Sequence, residues 1–289
     1  MNEKEFLDKY DSNKYEKPSV TVDMNIFSIK NTKKYNYRKL PDKKLNILLV
    51  KRKTHPFLGK WALPGGFVSI DEDLDIAAKR ELKEETGVDK IYMEQLYTWG
   101  DVNRDPRMRV LSCSYMSLVD SSKIDLIAGD DAEEAEWFEL EYNVLSKEKN
   151  DLENGYKIVK LVNIKLINND MNFVSELKIT KEVYEKNIIY KREILSSDNI
   201  AFDHIKIISY ALERLRNKLE YTDVVFNLMD KEFTLSELQK VYEVILGKKM
   251  LTAAFRRKII NKVMKIDKFT KDAGHRPSQL YNFNPKWEE

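Results

Sequence analysis

The chain of 289 residues has one cysteine, Cys113, and three histidines, His55, His204 and His275. A single thiol closes no internal disulfide and builds no thiolate cage for zinc. Three scattered imidazoles do not assemble a multi-histidine metal site, nor a Ser-His-Asp or Cys-His apparatus. Nine glycines and seven prolines exclude a low-complexity or collagen-like chain. No apolar run approaches a membrane span, and the opening Met1-Asn2-Glu3-Lys4-Glu5 is polar, unlike a secretory leader. The expectation is a soluble, cytoplasmic protein of a reducing compartment with no membrane partner.

What the chain does have is enough apolar residue to fold. Hydrophobic side chains make up 42%, with 15 Tyr and 12 Phe, so a disordered chain is excluded. At about 150 residues per domain the length predicts two domains. The net charge of +2 hides a split. From Ile200 to the C-terminus basic residues outnumber acidic ones, whereas residues 1–199 carry an acidic excess. Basic residues are densest from Arg256 to Arg276, which reads either as a solvated face or as a module for an anionic partner.

The first part reads as strands around one helix. Ser19–Ile29 alternates, Leu45–Val50 is a short apolar run, and Ile91–Trp99, Arg109–Val119 and Ala135–Leu140 are further strand candidates. Tyr156–Ile167 and Asn172–Leu177 resemble an added hairpin within residues 152–190. Asp73–Thr86 is rich in helix formers and stops at Gly87. Ser196-Ser197-Asp198-Asn199 marks the expected boundary, giving domains 1–197 and 198–289. Beyond it the spacing becomes helical: Asp203–Leu219, a short helix Thr222–Leu228, a capped helix Ser236–Leu246 and a basic helix Thr252–Met264.

The chemistry is concentrated on the first of these helices. Gly66, Glu72, Arg80, Glu81, Leu82, Glu84, Glu85, Gly87 and Val88 form one spaced pattern, G-x5-E-x7-R-E-L-x-E-E-x-G-V. Glu81, Glu84 and Glu85 share one arc of a helix, where three carboxylates repel unless a cation sits among them. Hard divalent cations such as Mg²⁺ meet that demand and commonly bridge to phosphates. Arg80 is placed to neutralise part of the cluster, and Gly65 and Gly66 permit a tight turn close to a ligand. A bare E-x-x-E-E cluster reads as a solvated helix face; nine spaced positions do not.

This segment resembles the Nudix box at every position, and the flanking Trp61–Gly66 and Ala135–Phe138 look like neighbouring Nudix elements. The resemblance covers roughly Val20 to Leu140. It implies an α/β fold, an α/β/α sandwich with a mixed sheet, and Mg²⁺- or Mn²⁺-dependent cleavage of a nucleoside diphosphate derivative. It also implies Glu81, Glu84 and Glu85 as metal ligands, Arg80 as their orienting residue and Glu72 as an accessory carboxylate. The general base is left open among these glutamates and the loop carboxylates Asp130, Asp131, Glu133 and Glu134, with Glu134 carried forward as the candidate. Arg104-Asp105-Pro106-Arg107 resembles a segment of ADP-ribose-type members, so Arg104, Arg107, Gly65 and Gly66 are the expected substrate-binding residues; an ordinary polar turn is the alternative. Tyr97 and Trp99 are candidates to stack an adenine. His55 reads as a surface-loop residue and Cys113 as a buried strand residue.

The basic C-terminal part resembles the winged helix of Nudix-related transcriptional regulators, the NrtR group, through Phe233-Thr234-Leu235, Phe255-Arg256-Arg257-Lys258 and Arg276-Pro277. Asp203-His204 and Tyr210–Arg216 match the opening helix of that module. The resemblance implies a homodimer on double-stranded DNA, contacted by Arg256, Arg257, Lys258, Lys262 and Arg276, with Asp267–Phe283 as the wing. A small helical packing domain with a solvated basic face is the alternative. His204 reads as a packing or hinge residue. The sequence thus favours a pyrophosphohydrolase cleaving ADP-ribose or a related nucleotide sugar to AMP and a sugar phosphate. The competing class is a regulator that uses the same pocket to sense ADP-ribose.

Overall fold

The computed structural model describes residues 2–32, 40–87, 91–120, 124, 132–169, 171–270 and 277–287. Among them, a short exposed helix α1 (Glu3–Lys9) precedes ten strands that form one mixed sheet. They are β1 (Ser19–Asn31), β2 (Lys43–Arg52), β3 (Trp61–Ala62), β4 (Gly65–Phe67), β5 (Tyr92–Trp99), β6 (Val110–Val119), β7 (Ala132–Leu152), β8 (Gly155–Asn168), β9 (Met171–Tyr184) and β10 (Asn187–Ser197). The order is β10-β9-β8-β7-β2-β1-β6-β5, with β3 on β2 and β4 on β1. β1 and β6 run parallel, while the flanking β1–β2, β2–β7 and β5–β6 pairs are antiparallel.

The layers follow from strand alternation, which sends successive side chains to opposite faces. Val22, Met24 and Ile26 of β1 face helix α2 (Leu74–Thr86), whose Ala77, Ala78 and Leu82 complete that layer with Leu48, Tyr115 and Trp137. The small alanines let the helix sit close to the sheet. Gly87 ends α2 in the left-handed region at φ 69°, where glycine carries no Cβ penalty. The opposite face, with Phe27, Ile47, Leu49, Met116 and Phe138, packs on helix α3 (His204–Lys218).

The expected hairpin is larger in the structure. β8 and β9 form one hairpin reaching Tyr184, and β10 returns along β9 to Ser197. Lys and Glu alternating on the outer face disguise these strands, and the cross-strand pair Lys157–Glu182 at 3.5 Å and the pair Lys178–Glu193 at 3.9 Å account for them.

Beyond α3 lie a 3-10 turn (Val224–Leu228), α4 (Leu235–Leu246), α5 (Thr252–Ile259), a second 3-10 turn (Ile260–Lys262) and the hairpin β11 (Val263–Phe269) and β12 (Gln279–Phe283). This is a winged helix, with Phe233 bridging Tyr281 as a third strand position. Thr234 and Glu237 form the expected capping box on α4. The helix expected to reach Met264 ends at Ile259, because Val263–Phe269 pairs with β12 instead. The sheet ends at the expected boundary near Ser197, yet α3 beyond it packs on the sheet. The apolar core runs unbroken from Phe27 through Leu212 to Tyr242, Phe255 and Val263.

Candidate functional site

The acidic helix and the strand before it form one unit. Gly65, Gly66 and Phe67 pair with Asp23, Val22 and Thr21 of β1. At Gly65 the φ of 155° and the Val22 carbonyl oxygen, 2.1 Å from where a Cβ would stand, exclude any side chain. At Gly66 a Cβ would lie 2.3 Å from Glu81 Oε1, so this glycine is the roof over that carboxylate.

Arg80 organises the cluster. Its Nε and Nη2 donate to the two Glu72 oxygens at 2.9 and 3.1 Å, and its Nη1 donates to Glu81 at 2.7 Å and to Glu84 at 3.5 Å. Its Nη2 also reaches the Phe67 carbonyl at 3.3 Å, which ties the helix to β4. The Arg80 hydrogen bond holds the Glu72 carboxyl below its ordinary value. Burial pushes the Glu81 carboxyl up, against the pull of Arg80. Glu81 and Glu85 are buried, and Glu84 is half-exposed.

Three helical carboxylates, two of them sheltered, are hard oxygen donors of the kind that Mg²⁺ or Mn²⁺ takes. The absence of a Cβ at Gly66 leaves room for the Glu81 carboxylate, whose Oε1 accepts from Arg80. In this geometry Arg80 supplies the positive charge that the carboxylates require, and no three acidic side chains converge on one point among the described residues. The three carboxylates fit a divalent cation by the chemistry of their oxygens and not by a preformed convergence.

The two arginines expected to bind substrate part company. Arg107 is half-exposed, makes a bidentate pair with Asp105 at 2.8 and 3.0 Å, and lies 5.4 Å from the Phe67 ring, beside the box. Arg104 is buried instead. Its Nη2 donates to Asp203 at 2.8 Å and to Asp23 at 3.5 Å, so its guanidinium is engaged in an internal cluster and not turned to a ligand. Burial works against the charge on Arg104, and Asp23 and Asp203 outweigh it, leaving its pKa above the ordinary arginine value. Glu134 stands at the start of β7 and pairs with Lys51 of β2 at 3.0 Å. Asp130 and Asp131 lie outside the described residues.

That internal cluster is the feature sequence reading missed. The His204 Nδ1 accepts the Leu63 backbone N–H at 2.8 Å, and its Nε2 lies 3.6 Å from Asp23. An accepting Nδ1 places the proton on Nε2, facing the carboxylate. Burial pushes the His204 pKa down, with Asp23 opposing. Around it, Trp61 N–H donates to Asn199 and Ala201 N–H donates to Trp61, each at 2.8 Å. The segment leading into the box is thereby clamped to the first turn of α3. The one signal in the sequence was Asp23, a charge set between the apolar Val22 and Met24 of β1.

At its far end α3 meets the winged helix. Arg216 Nε donates to the Ile245 carbonyl at 2.7 Å, and Lys258 pairs with Glu220 at 2.9 Å. Lys240 of α4 donates to the Leu40 and Pro41 carbonyls and to Asp42 at 2.8–3.1 Å, closing a second contact with the sheet side. Of the basic residues expected at DNA, Arg256 and Arg257 are exposed together on α5. Lys258 turns toward Glu220. Lys262 is buried, donating to the Thr222 carbonyl at 2.6 Å beneath the Trp287 ring, which removes it from the DNA-facing set. Arg276 and His275 lie outside the described residues.

Comparison with known proteins matches residues 39–161 to the NUDIX domain and residues 225–283 to the NrtR DNA-binding winged helix domain. The chain is 32% identical over 285 residues to the ADPR responsive transcriptional repressor NtrR of Acinetobacter baylyi, covering 98% of this chain and 88% of that protein. A MutT/nudix family protein from Enterococcus faecalis is similar in structure, with 30% identity, a TM-score of 0.69 and coverage of 98% and 94% of the two chains. Shewanella oneidensis NrtR, complexed with a 27mer DNA, is 26% identical, with a TM-score of 0.58 and coverage of 92% and 94%.

Proposed function

The chain belongs to the family of Nudix proteins that carry an NrtR DNA-binding winged helix domain, and from this we propose that it is a transcriptional repressor answering to ADP-ribose. The repressor reading takes precedence over the hydrolase reading that the carboxylates alone favour. Its main support is α3. One helix of 15 residues, about 22 Å long, carries His204 against the lead-in to the box at one end and Arg216 against α4 at the other. A ligand that moves Leu63–Gly66 thereby acts on the orientation of the winged helix. Coupling of this kind is typically about 1–3 kcal/mol.

In this reading Arg107 and the Gly65-Gly66 strand meet the diphosphate. Glu81, Glu84 and Glu85 would hold Mg²⁺ or Mn²⁺, which would supply positive charge against the phosphates. Arg256 and Arg257 meet DNA phosphates from the exposed face of α5. A homodimer would present two such helices to half-sites about one helical turn apart. A second reading, hydrolysis at the same site, is supported by the intact Glu72, Arg80, Glu81, Glu84 and Glu85 set; Glu134, paired with Lys51, remains its candidate base. Anisotropy with duplexes selected from a random pool, run beside AMP release from ADP-ribose, tests both. Salt-dependent duplex binding with negligible turnover is expected. Turnover without duplex binding would overturn the repressor reading.

A further inference from the structure

Strands β7 to β10 run on past their neighbours and form an extension of the sheet with two unlike faces. β7 pairs with β2 from Arg52 to Asn46 and then continues to Leu152, beyond the start of β2 at Lys43. Asp42, beside that start, holds Lys240 of α4 at 3.1 Å. At the base of the extension the Arg216 guanidinium of α3 lies 4.8 Å from the Tyr142 ring, and its Nε donates to the Ile245 carbonyl of α4. The extension therefore leaves the sheet at the end where the winged helix sits.

On the face away from α3, cations and carboxylates alternate and pair, as Lys157 does with Glu182 and Lys178 with Glu193. The face on the α3 side is built differently. Register places Lys147, Lys160, Ile179 and Arg192 in one cross-strand row, and Lys149, Ile158, Lys181 and Tyr190 in the next. Residues directly opposite share a face, so Lys147 stands against Lys160, and like charges so placed cost stability. Beyond Tyr142 the two rows hold five cations, against Asp151 and, from α3, Glu213. Asp151 engages Lys149 at 2.7 Å, and Glu213 takes Arg192 and, at 3.9 Å, Lys160. Among the described residues Lys147 and Lys181 have no carboxylate partner. Lys181 lies 5.7 Å from both the Tyr156 and the Tyr190 ring, so two aromatic faces steady its ammonium at the surface.

We propose that this face is a second DNA-binding surface, which holds duplex phosphates beyond those met by α5. The inference rests on the duplex-binding reading above and adds to it a contact outside the winged helix. Lysine ammonium and tyrosine hydroxyl groups both donate to phosphate oxygens and carry no base preference. A phosphate seated between Lys147 and Lys160 turns their repulsion into attraction. A second copy of the chain fits less well, because a two-fold contact would set this cationic patch against itself.

The test is fluorescence anisotropy of the full chain with a mixed-sequence duplex of about four helical turns, over a series of salt concentrations. Each phosphate neutralised adds about 0.9 to the slope of log affinity against log salt. Lys147→Gln with Lys181→Gln should therefore make that slope shallower by about 2. The variant should keep its melting temperature, because neither lysine has a carboxylate partner to lose. Lys157→Gln with Lys178→Gln, the same change of charge on the opposite face, should leave the slope as it is. An equal shift in both variants would assign the effect to net charge and overturn the surface. A slope that Arg256→Ala with Arg257→Ala flattens, and the Lys147 and Lys181 changes do not, would leave the winged helix standing and overturn this surface alone. No duplex binding by the unaltered chain would overturn both. Sedimentation should give one oligomeric state for all variants; a dimer lost with Lys147→Gln and Lys181→Gln would assign the face to a second copy and overturn it equally.

Discussion

Replacing His204 by leucine removes one acceptor and one titrating group from the clamp. The Leu63 N–H, now 2.8 Å from His204 Nδ1, would be left buried without its acceptor. An orphaned buried donor costs about 1–3 kcal/mol, so His204→Leu should be less stable by that amount at about pH 7.5. The titration adds a second effect with a definite sign. Burial holds the folded-state pKa below the ordinary 6.5. The unfolded chain therefore takes up a proton at higher pH than the folded histidine does, so this contribution is present above 6.5 and is progressively lost as pH falls below it. The loss grows as pH falls below 6.5, by no more than about 1.4 kcal/mol per pH unit. The leucine variant has no such loss, so the stability gap between the two proteins should narrow as pH falls from about 7.5 to about 5.5. His204→Gln, whose amide oxygen can accept from Leu63, should recover part of the stability and none of the pH slope. Urea unfolding of the three proteins at both pH values reads all of this, because other titrating groups cancel in the difference. A gap that is the same at both pH values, or equal stability at the higher one, would refute the assigned roles of Nδ1 and Nε2.

The two box glycines should behave oppositely. Gly65→Ala meets the Val22 carbonyl oxygen and should lower stability by about 2–4 kcal/mol in thermal unfolding, whereas Gly66→Ala meets only the end of Glu81 and should keep the fold to within about 1 kcal/mol while weakening Mn²⁺ binding in calorimetry. Arg104→Ala leaves Asp23 and Asp203 without their buried counter-charge and should cost about 3–5 kcal/mol in denaturant unfolding; a cost near zero would contradict the internal ion-pair assignment. Arg256→Ala together with Arg257→Ala should make the slope of log affinity for duplex DNA against log salt shallower by about 2, and Lys262→Ala should leave the slope unchanged.

The spacing of glutamates, glycines and Arg80 was legible in the sequence because helical periodicity and glycine stereochemistry are local. The same holds for the α4 cap, where Thr234 and Glu237 are three residues apart. The Arg104 and His204 roles were not legible, since Asp23, Arg104 and His204 are joined only by the pairing of β1 with β4 and by the return of the chain along β3. Arg104 read as a substrate-binding arginine because burial of a charge depends on distant partners. Lys262 misled for the same reason: Lys258, one helical turn before it, is polar, but by Lys262 the helix had already given way to a turn and strand. The length of β8, β9 and β10 was hidden by charge alternation on an exposed face, where apolar periodicity carries little signal.

The central claim is that one ligand site and one DNA-binding surface share α3 as a common element. Linkage requires that any factor by which ADP-ribose changes affinity for duplex DNA be matched by the factor by which DNA changes affinity for ADP-ribose. The measurement is ADP-ribose affinity of the full chain with and without a saturating selected duplex, in the presence of Mg²⁺, with AMP formation monitored in the same samples. A shift of about 5- to 150-fold is expected, equal in both directions and abolished in His204→Leu while each ligand still binds alone. ADP-ribose affinity that DNA leaves unchanged would contradict it.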